Sequence, residues 1–307
     1  MNDSGDKSPI AVVGLGNMGS ALAAALLARG YSVLVWNRTA SKADALVAKG
    51  AKPARDVAEA ARQARATIVC VANHAAFESA VHHDDVADAL RDRCLIQLGV
   101  VTASQAQEHA DWAQSRGIGY LEGSVLGVPD LVAAGTANLV CSGPADLFAE
   151  YRPMLEVFGT AYHLSPAIGA AYQFDKMIYP LGYGTSLGFI QGAAMVKAAG
   201  YSLDTYTNIL AAWAKMLADR FATYGALLEE ENYSVYQGSL EVWRDAYRDG
   251  LELCRSLGVD DSLPKAHLAM MNKGMDAGFG NEEILAVYKA LLPRRTSDDD
   301  KPHRQAR

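Results

Sequence analysis

The segment Pro9 to Gly30, PIAVVGLGNMGSALAAALLARG, constrains this chain more than any other stretch. A short apolar strand runs straight into Gly14-Leu15-Gly16-Asn17-Met18-Gly19, and an alanine- and leucine-rich helix follows that Gly30 closes. Glycines at this spacing have separate jobs. Gly14 permits a tight turn, Gly16 lets the backbone approach a pyrophosphate, and Gly19 brings the helix close to the sheet. The helix N-terminus, through Asn17 and Met18, then offers free N–H groups and a partial positive charge to phosphate. The strand YSVLVW and the helix SKADALVAKG complete a βαβ unit, so the segment predicts a dinucleotide-binding domain.

The end of the second strand bears on which dinucleotide. An NAD-binding chain usually places Asp or Glu there to accept from the ribose hydroxyls. This chain has Trp36-Asn37-Arg38-Thr39 followed by Lys42. Arg38 can fork onto a 2′-phosphate with charge-assisted hydrogen bonds, to which Asn37 and Thr39 add neutral ones. NADP(H) is the cofactor this favours. The strand-like runs ATIVCVA, LIQLGVV, IGYLEGSV and NLVCSG follow, with helical stretches such as SQAQEHADWAQSRG between them. This alternation predicts an α/β fold, a Rossmann doubly wound parallel sheet over residues 1–165. Ligands bind beyond the carboxyl ends of such strands. Val71 and Ala72, Val100, and Val125 with Leu126 are therefore the candidates to border cofactor and substrate.

Half of the 307 residues are hydrophobic, enough to build two domains without staples, and a formal net charge of -7 argues against nucleic acid or an anionic membrane as partner. Cys70, Cys94, Cys141 and Cys254 have no paired spacing and read as reduced thiols of a cytoplasmic protein. The polar termini, 1–8 and 294–307, are expected to be disordered. His82, His83, Asp84 and Asp85 resemble a metal cluster, but no further ligand is placed near them. A solvated helix end, with no metal, is the expectation.

From Gly169 to Gly200 the chain reads as one long helix. It carries Asp175 and, eight residues on, Tyr183, which ideal geometry brings to within about 80° of each other. Pro180 between them removes a backbone hydrogen bond and predicts a kink. The uncharged run from Met177 to Val196 includes Gly184, Gly188 and Gly192, and predicts a helix buried on nearly all sides with a thin face for close packing. The helical stretches 205–228, 239–258, 266–280 and 281–292 follow without any βαβ pattern. Residues 166–307 are thus expected to form a helical domain for dimerisation and substrate, with Ser202 or Asp204 capping one helix and Asn281, Glu282 and Glu283 another.

GLGNMG, the glycine-rich interdomain helix and the helical second domain together resemble the β-hydroxyacid dehydrogenase superfamily over roughly Pro9 to Leu292. Its dehydrogenases carry a catalytic lysine about six residues after the helix's first glycine, followed by asparagines; here Asp175 stands there, with Ile178 and Tyr179 in place of the asparagines. That departure is similar to the imine reductase and reductive aminase branch, in which Asp or Tyr replaces the lysine and an aromatic follows, as Tyr183 does. Gly123 to Asp130, GSVLGVPD, looks like that branch's segment near the nicotinamide. The resemblance implies NADPH-dependent reduction of an imine, with Asp175 and Tyr183 catalytic and Tyr179 near the substrate. Reductive aminases tend to have Asn in the loop after the fourth strand where Val100 stands here, which leaves imine formation in the site open.

Such a substrate suits these residues. An ionised Asp175 would stabilise an iminium, where lysine would repel it. Trp213, Tyr236 and Trp243 are candidate aromatic walls for an amine, though core packing explains them equally well. The resemblance further implies a homodimer with exchanged helical domains. Two alternatives stay open: a β-hydroxyacid dehydrogenase-like enzyme, in which Lys176 takes over the lysine's part, and a non-catalytic NADP-binding protein.

Overall fold

The computed structural model describes residues 8–293, so the expectation of disordered termini lies almost wholly outside the described residues. Eight strands form one sheet: β1 (Ile10–Val13), β2 (Val33–Trp36), β3 (Lys52–Pro53), β4 (Ala66–Val69), β5 (Cys94–Gln97), β6 (Gly119–Leu126), β7 (Ala137–Ser142) and β8 (Gly159–Ser165). Their spatial order is β3-β2-β1-β4-β5-β6-β7-β8, parallel except for β6 against β7. The helices that wind the sheet are α1 (Asn17–Ala28), α2 (Asp44–Val47), α3 (Val57–Gln63), α4 (His74–Val81), α5 (Asp84–Leu90), α6 (Ala103–Gln114), α7 (Pro129–Ala134) and α8 (Ala145–Leu155).

Successive strand residues point to opposite faces, so each strand feeds two cores. Val12 and Ile96 pack with Leu22 and Leu26 of α1 and Phe148 and Leu155 of α8 on one face. Val13 and Leu95 pack with Val57, Phe77 and Leu90 on the other. A sheet covered on both faces explains why its strands read as unbroken apolar runs rather than alternating ones.

The β6–β7 pair departs from the all-parallel expectation. Residues 127–136 join the two strands, and a parallel crossover takes about a dozen residues or more. Glu122 instead pairs antiparallel with Ser142. The link through α8 to β8 is longer, and β7 and β8 run parallel.

The chain has two compact units that part between Tyr179 and Pro180. The boundary expected at 165 falls just before α9 (Ala170–Ala198), and the units part within that helix, at its proline. The second unit holds α10 (Leu203–Glu229), α11 (Leu240–Ser256), α12 (Ser262–Asp276) and α13 (Val287–Leu291). Ser202 caps α10, its hydroxyl accepting the Thr205 N–H at 3.5 Å. The helix expected over 281–292 forms only as a 3-10 turn and the short α13. Glu283 does not cap it: its carboxylate accepts the N–H groups of Tyr236 and Gln237 at 2.8 and 3.0 Å. Those two backbone donors compete for the same oxygen that a cap would use.

The expectation of a buried α9 is not met within the single chain. Ala171 alone among its residues is buried, while Met177, Leu181 and Ile190 are more than half exposed. A Cβ at Gly192 would meet the Tyr206 hydroxyl at 2.0 Å, whereas at Gly184 and Gly188 the space is open. α10 likewise has no buried residue. Among the described residues no helix is long and apolar enough to cross a membrane, and all four cysteines are free thiols.

Candidate active site

A cavity of about 600 Å³ opens beyond the carboxyl ends of β1, β4 and β5, where the strand order reverses, and all its lining residues belong to the first unit. Open α/β sheets bind ligands at this switch point.

One part of its wall is the glycine loop. Gly14 has φ +93°, and a Cβ on Gly19 would lie 1.9 Å from the Gly14 carbonyl oxygen, so neither position takes a side chain without a backbone shift. At Gly16 no atom lies within 4 Å of a Cβ position, leaving an open approach. Gly16 is also the N-cap of α1, which has no side-chain cap, so its first-turn N–H groups are left for an anion. The loop fits a pyrophosphate.

Asn37 braces that loop from the end of β2. Its side-chain oxygen accepts the Leu15 N–H at 2.9 Å and its amide donates to the Thr39 carbonyl at 3.0 Å. These bonds use the side-chain oxygen and one amide N–H, and the second amide N–H is left over for a phosphate. Arg38 and Lys42 are exposed on the cavity wall, and their side chains have no hydrogen bond or ion pair among the described residues. Two cations on one cavity wall suit a phosphate. Facing residues Ala76, Ser79 and Ala80 of α4 had no signal in the sequence, because small helix residues carry no motif. Val71, Ala72, Val100 and Val125 all line the cavity.

The other part of the wall comes from α9. Tyr172, Asp175, Lys176 and Tyr179 recur at three- and four-residue spacing and share one helix face on the cavity. Glu122 of β6 positions that face. Only 1% exposed, its carboxylate accepts the N–H groups of Gly169 and Tyr172 at 2.6 and 3.0 Å and the Ser142 hydroxyl at 2.5 Å. A buried negative charge at a helix N-terminus satisfies orphan donors and the helix dipole together. Its one signal in the sequence is a charge inside an otherwise apolar strand.

The Lys176 Nζ donates to the Asp175 Oδ2 at 2.6 Å and to the Tyr179 hydroxyl at 2.7 Å. It also lies 4.2 Å and 5.0 Å from the ring centroids of Tyr179 and Tyr172. Burial works against the Lys176 charge, but its hydrogen bonds to Asp175 and Tyr179 outweigh that and hold its pKa above the ordinary lysine value. Lys176 is therefore an ammonium at neutral pH.

The other expected site residues lie elsewhere. Leu126, half-buried at the end of β6, does not line the cavity; its neighbours Ser124 and Val125 do. Tyr183, Trp213, Tyr236 and Trp243 belong to the second unit and are 62%, 57%, 66% and 38% exposed. His82 is not simply solvated: it stacks on Trp112 at 4.5 Å, while the His83 ring bonds the Ser79 carbonyl.

Residues 9–169, over half the chain, match the family described as the NAD binding domain of 6-phosphogluconate dehydrogenase. The chain belongs to that family. Residues 167–293 match a second family, the NADPH-dependent reductive aminase-like C-terminal domain. With both domains in place, the protein is an NADPH-dependent oxidoreductase that pairs an NAD-binding domain with a reductive aminase-like C-terminal domain. It is 27% identical to an NADPH-dependent reductive aminase of Aspergillus oryzae over 91% of this chain and 96% of that protein. An imine reductase of Myxococcus stipitatus, solved with NADP+, superposes with a TM-score of 0.84 at 27% identity, covering 93% and 100% of the two chains. A glyoxylate/succinic semialdehyde reductase of Arabidopsis thaliana is also 27% identical, over 92% and 98% of the two lengths.

Proposed function

We propose that this oxidoreductase reduces an imine or iminium to an amine with NADPH, and that Asp175 is the residue that holds the cationic nitrogen. The observation that carries this reading is a carboxylate on the wall of a dinucleotide-shaped cavity, at the position where the related dehydrogenases have lysine. When bound, the reduced nicotinamide supplies the hydride that forms a C–H bond at the imine carbon while the C=N π pair goes to nitrogen, turning an iminium into a neutral amine and NADPH into NADP+.

The chain's own residues do the rest. Gly14, Gly16 and Gly19 with the first turn of α1 at Asn17 and Met18 hold the pyrophosphate. Arg38 and Lys42, with Thr39, hold a 2′-phosphate, which selects NADPH over NADH. Val71, Ala72, Val100 and Val125 form a mostly apolar wall that keeps water from the reacting end and so strengthens the attraction between Asp175 and a cation. The Tyr179 hydroxyl, bonded to Lys176, borders the same space. Tyr183, Leu126, Trp213, Tyr236 and Trp243 complete the site in a homodimer, where a second copy covers the exposed faces of α9 and α10. Equilibrium sedimentation at micromolar concentration tests the dimer, and a monomer there contradicts it.

A second reading keeps one specific support. Lys176 is on the cavity wall, and in β-hydroxyacid chemistry an ammonium there would serve as the proton donor. Directional assays separate the two. Rapid NADPH oxidation with a cyclic imine, without NADP+ reduction by 3-hydroxy acids, supports the imine reading; the opposite pattern favours the second.

A further inference from the structure

The cavity wall carries four charged side chains, Arg38 and Lys42 beside the glycine loop and Asp175 and Lys176 on α9. The α9 pair matters for what can bind. Asp175 is already neutralised by Lys176 at 2.6 Å, and their side chains are 19% and 36% exposed. An iminium that takes over Asp175 leaves the Lys176 ammonium with only the Tyr179 hydroxyl and two ring faces, beside a second cation. A neutral wall residue would impose no such conflict. The conflict disappears if the incoming molecule brings its own anion.

We infer that, given the imine reductase reading above, the substrates of this site are imines bearing a carboxylate next to the C=N bond, with the iminium nitrogen on Asp175 and the carboxylate on Lys176. Such a zwitterion exchanges one ion pair for two and leaves no charge unpaired in a half-buried wall. The Tyr179 hydroxyl, 2.7 Å from the Lys176 Nζ, borders the same space and helps to fix the ammonium there. The ring faces of Tyr172 and Tyr179 hold the ammonium in place during the exchange. Arg38 and Lys42 do not compete for this carboxylate, because the cofactor's phosphate occupies them.

The test compares two cyclic imines, a pyrroline with a carboxylate on the imine carbon and the same ring with a methyl group there. The wild type should favour the carboxylate in kcat/KM by about tenfold or more, the scale of one charge-assisted contact. Lys176→Met should lower that carboxylate-to-methyl ratio by about ten- to hundredfold, and Lys176→Arg should keep it above one. A wild type that favours the methyl imine, or a ratio untouched by Lys176→Met, overturns the inference while leaving imine reduction standing. If neither imine is reduced, the parent reading fails, and calorimetric titration of the NADP+-loaded protein with pyrrole carboxylate, which is not reduced, still decides the Lys176 contact. Binding that Lys176→Met weakens by tenfold or more supports it; binding that Lys176→Met leaves unchanged contradicts it.

Discussion

Asp175 and Arg38 line one cavity but answer to different parts of its contents, and substitution separates them. Asp175→Asn keeps the volume and removes the charge that holds a cation, so kcat/KM for a cyclic imine should fall by about a hundred- to ten-thousandfold, while the Kd for NADPH from fluorescence titration changes little. Arg38→Ala should raise the Kd for NADPH by about ten- to a hundredfold with little change for NADH, the scale of one or two hydrogen bonds to a charged group. Both residues were legible in the sequence, Arg38 because a strand end after GLGNMG has a known job and Asp175 because it stands where related chains have lysine. Lys176 was legible only as a stand-in for the lysine of related chains, and Glu122 and Ser79 were not legible as site residues. Their roles depend on which face of a helix or strand meets the cavity, and no short motif encodes that. Asn37 lines the cavity wall and also braces the glycine loop through the Leu15 and Thr39 backbone, a second role visible only in three dimensions.

At the scale of elements, the glycine loop and the start of α9 carry the site. Gly19→Ala puts a methyl 1.9 Å from the Gly14 carbonyl oxygen, where backbone rather than a flexible side chain must give way. It should cost about 3 kcal/mol or more, read as a melting temperature lowered by about 6 °C or more, together with weakened NADPH binding. Glu122→Gln weakens the acceptor shared by Gly169, Tyr172 and Ser142 and should cost about 2–3 kcal/mol in chemical denaturation. The parallel strands were readable because burial on both faces makes them continuous apolar runs. The antiparallel β7 was not, because only the length of the 127–136 link separates the two pairings. The helix expected over 281–292, with Asn281, Glu282 and Glu283 as caps, shortens to a turn and α13, and the Glu283 carboxylate bonds to Tyr236 and Gln237 instead.

For the whole molecule, stability should depend on a histidine cluster outside the cavity's charged residues. His109 is fully buried, stacked 3.8 Å from Phe77 and bonded through Nε2 to the His74 Nδ1 at 2.9 Å. Burial first, then His82 and His74, push its pKa down to about 3. A histidine whose folded pKa lies below its unfolded value of about 6.5 contributes its full share above that pH, and the share is lost as pH falls toward 3 because the unfolded chain binds the proton more readily. The melting temperature should therefore drop between about pH 7 and pH 5, and His109→Gln should flatten that drop. His82, whose pKa is also lowered by burial, contributes to the same slope, and the neighbouring Glu78 carboxylate partly offsets that lowering. Two domains, their order and their classes were readable from the alternation of strands and helices followed by helices alone; the exposure of α9 and α10 was not, because an apolar helix does not declare whether its own chain or a second copy covers it. The most direct test of the assigned chemistry is hydride transfer itself: a single turnover with NADPH deuterated at the transferring position, in wild type and Asp175→Asn, with a cyclic imine as acceptor. Deuterium on the carbon bound to nitrogen, formed at a rate the substitution cuts by about a hundredfold or more, is the predicted result. Absence of deuterium at that carbon, or a rate indifferent to Asp175, would contradict it.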